Sequence, residues 1–311
     1  MAVLEIDRLT KDYGHGRGVF DVTFQVEKGE VYGFLGPNGA GKTTTIRHIM
    51  GFSKPQQGQT MVNGRDSWKY AHEIQKELGY LPGEIALPEN MNGTAFIRMM
   101  AELRGLKDLS YTNHLMDMFE LDPRGSLKRM SLGMKRKLAI VVAFMHDPAV
   151  LVLDEPSSGL DPVMQHVFIE FIKEEKARGK TILLSSHMFN EVEATCDNIS
   201  MIRDGRIIST FLADDLRNYE EKTFEMEFVT KADFERFAAA TKSLADIQVV
   251  SLSPEKNQAA VSFDNKATND FVAFISGFEL KFFSELKFTL EDYFMKFYDK
   301  REKGGGNDAA H

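Results

Sequence analysis

Cysteine is almost missing from this chain. Cys196 is the single one among 311 residues, so an internal disulfide framework is excluded and a reducing compartment is expected. Long hydrophobic runs are missing too. The longest, Leu138 to Met145 and Val150 to Leu153, fall short of the roughly 18 apolar residues of a membrane-spanning helix. The N-terminus has no basic stretch followed by an apolar one, so no secretion signal is expected. Positive charge is in deficit: the net charge of −8 argues against general binding to a phosphate backbone, so no nucleic-acid partner is expected. What is present is enough for a core. The chain is 43% hydrophobic and 27% charged, which excludes a disordered protein, and 35.2 kDa points to two domains. Phenylalanine is unevenly spread: 13 of 24 lie between Phe224 and Phe297.

Residues 1–215 mix short apolar strands with helical segments, as α/β domains do. Val31 to Leu35, Val150 to Leu153 and Thr181 to Ser185 read as buried strands, and their spacing implies parallel pairing with right-handed crossovers. Thr94 to Arg104, Tyr111 to Phe119 and Met134 to Met145 read as closely successive helices, a helical subdomain over about 84–145. After Ala213 to Lys222 the character changes. Phe224 to Val229 alternates as a strand does, Ala232 to Thr241 is helical, and Ile247 to Leu252 and Ala259 to Phe263 are strands joined by a Ser253 to Asn257 turn. A helix at Thr268 to Ser276, a strand at Leu280 to Leu286 and a helix at Leu290 to Tyr298 complete it. The order β-α-β-β-α-β predicts a ferredoxin-like α+β domain over 222–300, with most of the phenylalanines as its core. The glycine-rich tail 303–311 is expected to be disordered.

The chemistry starts at Gly36-Pro37-Asn38-Gly39-Ala40-Gly41-Lys42-Thr43, followed by Thr44, which fits the phosphate-loop pattern and follows a predicted strand. Glycines let successive backbone N–H groups turn inward around phosphate oxygens, and the helix starting near Lys42 adds its positive end. Lys42 is placed to reach the terminal phosphates of ATP, and the Thr43 hydroxyl to ligate Mg²⁺. An ordinary glycine turn would not match at all eight positions. Val150 to Glu155 ends a hydrophobic strand in two carboxylates, Asp154 for Mg²⁺ through water and Glu155 as general base for an attacking water.

The phosphate loop, Asp154-Glu155-Pro156, Ser158-Gly159-Leu160-Asp161 and His187 in Leu184-Ser185-Ser186-His187 occur in one order. That order, over about residues 2–212, resembles the ATP-binding subunits of ABC transporters. The resemblance implies a P-loop NTPase cassette with an inserted helical subdomain. It makes His187 the histidine that touches the γ-phosphate, Tyr13 the ring that stacks on adenine, and Ser158 to Asp161 the loop that crosses a dimer interface. Met130-Ser131-Leu132-Gly133-Met134 resembles the family signature, with Leu132 and Met134 departing from it as in bacterial exporter ATPases. By the same resemblance Ser131 and Gly133 face the ATP of the opposite subunit in a head-to-tail dimer.

A sharper departure follows Tyr80-Leu81-Pro82. The family's loop glutamine is replaced by Gly83, and Glu84 reads either as the nearest oxygen donor, taking over part of its role toward the metal, or as a loop glutamate in water. Lys135-Arg136-Lys137 reads as a solvated helical turn, Cys196 as a small buried residue, and Met99-Met100 and Met116–Met118 as packing. The function implied is an ATP-hydrolysing subunit that energises export through separate transmembrane permease subunits, at the cytoplasmic face of the membrane. A soluble ABC-type ATPase of nucleic-acid or translation processes, or a nucleotide-sensing regulator, is the competing class. No substrate can be read, because membrane helices outside this chain select it.

Overall fold

The computed structural model describes residues 1–217, 221–241, 247–286 and 289–295. The Leu290 to Tyr298 helix lies partly outside them, with 290–295 helical, and the tail 303–311 lies wholly outside. The chain divides into two compact units, Met1–Ala213 and Asp214–His311.

The first unit opens with strands β1 (Ala2–Asp12), β2 (Gly18–Glu27) and β3 (Val31–Leu35), then helix α1 (Lys42–Ile49). Strands β4 (Gln57–Val62) and β5 (Arg65–Asp66), helix α2 (Ala71–Glu77) and strand β6 (Leu78–Leu81) follow. Three helices come next: α3 (Gly93–Leu103), α4 (Ser110–Met118) and α5 (Leu132–Phe144). The unit continues through β7 (Val150–Asp154), α6 (Pro162–Ala177), β8 (Thr181–Ser186), α7 (Phe189–Thr195), β9 (Asn198–Arg203) and β10 (Arg206–Leu212). A short helix, α8 (Ala213–Arg217), runs across the division.

Two sheets build this unit. A six-stranded sheet has the order β10-β9-β3-β8-β7-β6, and a four-stranded sheet has the order β2-β1-β4-β5. The strands β3, β7 and β8 are buried along their whole length, as parallel strands covered on both faces must be. The β2 strand alternates buried and exposed residues, so it has one wet face. Phe24 of β2 stacks on Tyr32 and Phe34 of β3, each with ring centroids 5.1 Å apart, and so joins the sheets in one core.

Register is what positions the site. β3 and β8 pair Leu35 with Ser186, and β7 and β8 pair Asp154 with Ser185. The C-terminal ends of three adjacent strands therefore open on the same edge, where ligands of parallel sheets are held. The α4 helix docks on the sheet body through an ion cluster. Lys180 and Glu175, 5% and 2% exposed, pair at 2.7 Å, and Glu175 also accepts from Tyr111 and Arg178.

In the second unit, β11 (Glu221–Phe228), α9 (Lys231–Ala240), β12 (Ile247–Ser253), β13 (Gln258–Asp264), α10 (Thr268–Ile275) and β14 (Leu280–Leu286) follow in order. The sheet is antiparallel with order β12-β13-β11-β14. Phe228, Phe234, Phe237, Phe263 and Phe271 are buried in one cluster, with Phe237 against Phe228 at 4.9 Å and Phe263 against Phe271 at 4.5 Å. Phe282 and Phe283 differ from the expectation of a core: they are 46% and 39% exposed on β14, at the edge of the sheet.

Phe237→Ala empties a fully buried ring position and should cost the second unit about 3–5 kcal/mol. In urea, far-UV circular dichroism should lose part of its amplitude early. The fluorescence of Trp68, the single tryptophan and part of the first unit, should keep its midpoint. A common shift of both signals would mean that the units unfold as one.

Candidate active site

The phosphate-loop residues leave β3 and enter α1 under tight steric control. A Cβ on Gly36 would lie 2.3 Å from the Ile202 carbonyl oxygen. Gly41, which starts α1, has φ of 112°, and a Cβ there would meet Val19 at 2.7 Å. Only glycine satisfies both demands. Lys42 is 5% exposed, and its ammonium donates to the carbonyls of Gly36 at 2.6 Å and Pro37 at 3.2 Å. It also pairs with Glu155 at 2.9 Å.

Thr43 Oγ1 donates to Asp154 Oδ2 at 2.7 Å, and the hydroxyl of Ser185 donates to the other oxygen of Asp154, which is fully buried. A hydroxyl and a rigid carboxylate side by side are hard oxygen donors. Among the described residues no three His, Cys, Asp or Glu side chains gather into a metal cage. The donor set suits a small dication whose remaining ligands are water and phosphate.

Glu155 follows immediately in a strained conformation, with φ of 51°. A non-glycine residue in the left-handed region is uncommon and concentrates at functional sites. The backbone N–H of Glu155 donates to the Ser185 carbonyl at 3.0 Å, which fixes this turn on β8. The carboxylate then faces the cleft between Lys42 and His187, whose Nδ1 lies 2.5 Å from Oε2. Asp154 and Glu155 are neighbours in sequence but have opposite surroundings, one fully buried and the other open to the cleft.

A cavity of about 630 Å³ is lined by Tyr13, Arg17, Gly18, Asn38, Gly39, Gly41, Lys42, Thr43, Thr44 and Glu155. A second cleft of about 420 Å³ shares Asn38, Thr43 and Glu155 and adds Arg47, Tyr80, Gly83, Glu84, Ser158 and His187. Tyr13 is half exposed at the rim, with the Lys11 ammonium 5.7 Å from its ring. Glu84 is exposed and lines the second cleft, on the side of Thr43. Gly36 and Ala40 are buried beneath the loop, and Pro37 serves it through its carbonyl.

Ser131, Gly133, Gly159, Leu160 and Asp161 line neither cavity. Ser131 caps α5 by accepting from the Met134 amide, and Asp161 caps α6 by accepting from Val163 and Met164. The two segments touch: a Cβ on Gly133 would be 3.0 Å from the Gly159 carbonyl oxygen, and one on Gly159 would meet Leu132 at 3.0 Å. Ser131 is exposed, and Leu132 beside it is 62% exposed. The signature therefore lies exposed and outside both cavities of its own chain.

One expectation is corrected. Within Lys135-Arg136-Lys137, Arg136 is not solvated but 3% exposed, and it donates to three backbone carbonyls. Cys196 is buried as expected, and burial pushes its thiol up to about 12. Sequence reasoning missed Arg136, Ser185, Arg17 and Glu191. A serine opposite Asp154 on the neighbouring strand was the available signal for Ser185, and a cation four residues past Tyr13 the one for Arg17.

Glu191 of α7 is 1% exposed, behind Glu155 and His187. Neither of its oxygens has a hydrogen bond of ordinary geometry, and the hydroxyls of Ser157 and Ser186 are the polar groups nearest to relieving it. Burial pushes its carboxyl from the ordinary 4.5 up to about 7. The two hydroxyls and the His187 charge oppose that rise, and Glu155 adds to it. Arg136 and Cys196 also feel its charge.

A family model described as ABC transporter matches residues 19–158. The chain is 30% identical over 300 residues to the uncharacterized ABC transporter ATP-binding protein YcbN of Bacillus subtilis, covering 94% of this chain and 96% of that one. It is 32% identical over 223 residues to the Nod factor export ATP-binding protein I of Ralstonia nicotianae, covering 70% of each. A solved ATP-binding subunit of an ABC transporter superposes with a TM-score of 0.63 at 34% identity, over 69% of this chain and 92% of that chain.

The carboxyl of Glu191 binds a proton more tightly in the folded chain than in the unfolded one. Its burial therefore costs nothing below about pH 4.5, and stability is lost as pH rises through the folded value near 7. Glu191→Gln should match the wild type at acid pH and exceed it by on the order of 3 kcal/mol at pH 8. Paired denaturant curves across this range test it; parallel pH profiles for the two proteins would contradict it.

Proposed function

Since this chain belongs to the ATP-binding proteins of ABC transporters, we propose that it hydrolyses ATP to drive export through separate membrane-embedded subunits. The observation that carries this reading is the convergence of Lys42, Thr43, Asp154, Glu155 and His187 at the ends of β3, β7 and β8. No helix among the described residues is long and apolar enough to cross a membrane; in this reading the membrane passage belongs to permease subunits that the chain recruits. The chain then works at the cytoplasmic face, held there by those partners. The Nod factor relative, by its name, serves export, and the altered signature supports the same direction here.

Residues 1–215 form the ATPase domain, with 84–145 as its helical subdomain. Residues 222–300 form an accessory domain whose strand order is that of a ferredoxin-like split βαβ unit. ATP occupies the cavity with its base on Tyr13 and its phosphates among the backbone amides of Gly36 to Thr44. Thr43 and Asp154 would hold Mg²⁺, which would supply positive charge beside the phosphates.

Lys42 exchanges Glu155 for phosphate as ATP enters. Glu155, thus released, accepts a proton from water as that oxygen bonds to the γ-phosphorus and the bond to the β-phosphate oxygen breaks. His187 orients Glu155 and the γ-phosphate through its imidazole. Glu84 lies on the wall of the same cleft and takes over part of what a side chain at Gly83 would supply there.

Ser131 and Gly133 line neither cavity of their own chain, which supports a head-to-tail dimer in which each signature completes the partner's site. Ser158 to Asp161, in contact with that signature, then lie at the subunit boundary. A nucleotide-sensing role has less support, because a sensor does not need a base poised beside a histidine in the phosphate cleft.

Glu155→Gln should lower steady-state ATP turnover by about 10²–10⁴-fold and leave ATP bound, so that a dimer accumulates on gel filtration. Turnover within a few-fold of wild type would remove Glu155 as the base.

A further inference from the structure

A buried guanidinium costs free energy unless its N–H groups are met, and Arg136 meets this demand in an unusual way. It is 3% exposed, one turn into α5 behind Ser131, and burial lowers its proton affinity. Its guanidinium donates to main chain from all three nitrogens: Nε to the Ser158 carbonyl at 2.9 Å, Nη1 to that of Pro82 at 3.0 Å and Nη2 to that of Gly83 at 2.8 Å. Asp154, Glu155 and Glu191 supply the surrounding negative charge. One side chain thus ties the signature helix to two loops that are remote from it in sequence.

The Gly83 end of this tie reaches the reaction centre. A Cβ on Gly83 would lie 3.0 Å from Asp154 Oδ2, the same oxygen that accepts from Thr43. The loop is therefore seated directly on the buried carboxylate, and Arg136 holds it there by its carbonyls. The Ser158 end lies next to Gly159, which packs on Leu132 of the signature. The path from Ser131 to Asp154 is closed by contacts on both sides.

We propose that Arg136 is a positioning residue for ATP hydrolysis: it clamps the Pro82–Gly83 segment against Asp154 and fixes the signature helix and the Ser158 loop to that segment. Gly83 cannot act through a side chain, so its loop acts through its backbone, and the guanidinium fork is what grips that backbone. A planar fork with fixed N–H directions can serve three carbonyls at once, which a lysine ammonium on a flexible stem does poorly.

The inference rests on the hydrolytic reading above. The test uses the full-length chain as wild type, Arg136→Met, Arg136→Lys, Gly83→Ala, and Gly83→Ala combined with each Arg136 variant. Arg136→Met should lower kcat by at least about tenfold while ATP affinity changes by less than about threefold, because the residues that hold the nucleotide are untouched. Backbone amides around residues 83–85 should exchange hydrogen faster in this variant. Arg136→Lys should recover only part of the loss. The combined variant should be no slower than the worse single one, since both changes disturb the same seat.

Unchanged kcat with unchanged exchange in Arg136→Met, or losses that multiply in the combined variant, would overturn the proposal. Should Arg136→Met not fold, the cycle with Arg136→Lys carries the same comparison. Failure of the hydrolytic reading is seen separately, as absence of ATP turnover in the wild type.

Discussion

A lysine ammonium buried at the mouth of a hydrophobic sheet is the constraint around which this site is organised. Taking such a charge out of water is costly, and only close carbonyls and an opposite charge offset the cost. Lys42 has the Gly36 and Pro37 carbonyls on one side and Glu155 on the other. The loop must curl to deliver those carbonyls, which is why Gly36 and Gly41 tolerate no Cβ. Glu155 must turn back toward the lysine, and its φ of 51° is the local strain that this orientation demands. The pair is also exchangeable in electrostatic terms, since an anionic phosphate can take Glu155's place on Lys42.

Geometry at the strand ends does the rest. Parallel register brings Leu35, Asp154 and Ser186 to one edge, so that residues far apart in sequence meet without long loops to hold them. Asp154 is held in place by two hydroxyls, one from the loop helix and one from β8. Glu191 lies behind this edge, where burial raises the affinity of its carboxyl for a proton. Arg136 closes the opposite side and connects the edge to the signature.

How far these features could be read in the sequence depended on contiguity. The phosphate loop and the Asp154-Glu155 pair are unbroken strings whose chemistry is local, and they were legible residue by residue. Buried strands such as β3 and β7 stood out because both faces are apolar. The four-stranded sheet containing β1, β2 and β4 did not, since a half-wet strand such as β2 carries polar residues at every other position. Arg136 was misread for a related reason. Between two lysines it looks solvated, and the carbonyls that bury it come from Pro82, Gly83 and Ser158. Gly83 looked like a loss, whereas the structure supplies a steric reason for glycine, the adjacent Asp154 carboxylate. In the phenylalanine-rich segment, composition pointed to a core and the cluster around Phe237 is one, but Phe282 and Phe283 lie part-exposed on an edge strand, Phe283 still stacking on Phe224, which composition cannot distinguish.

The account turns on the exchange of Glu155 for phosphate on Lys42. It is tested most directly by an experimental structure of this chain with Mg²⁺ and a non-hydrolysable ATP analogue. The result expected is the Lys42 ammonium on phosphate oxygens, with Glu155 released from it and still beside His187. An analogue bound in the cleft while Lys42 and Glu155 remain paired at 2.9 Å would contradict the account.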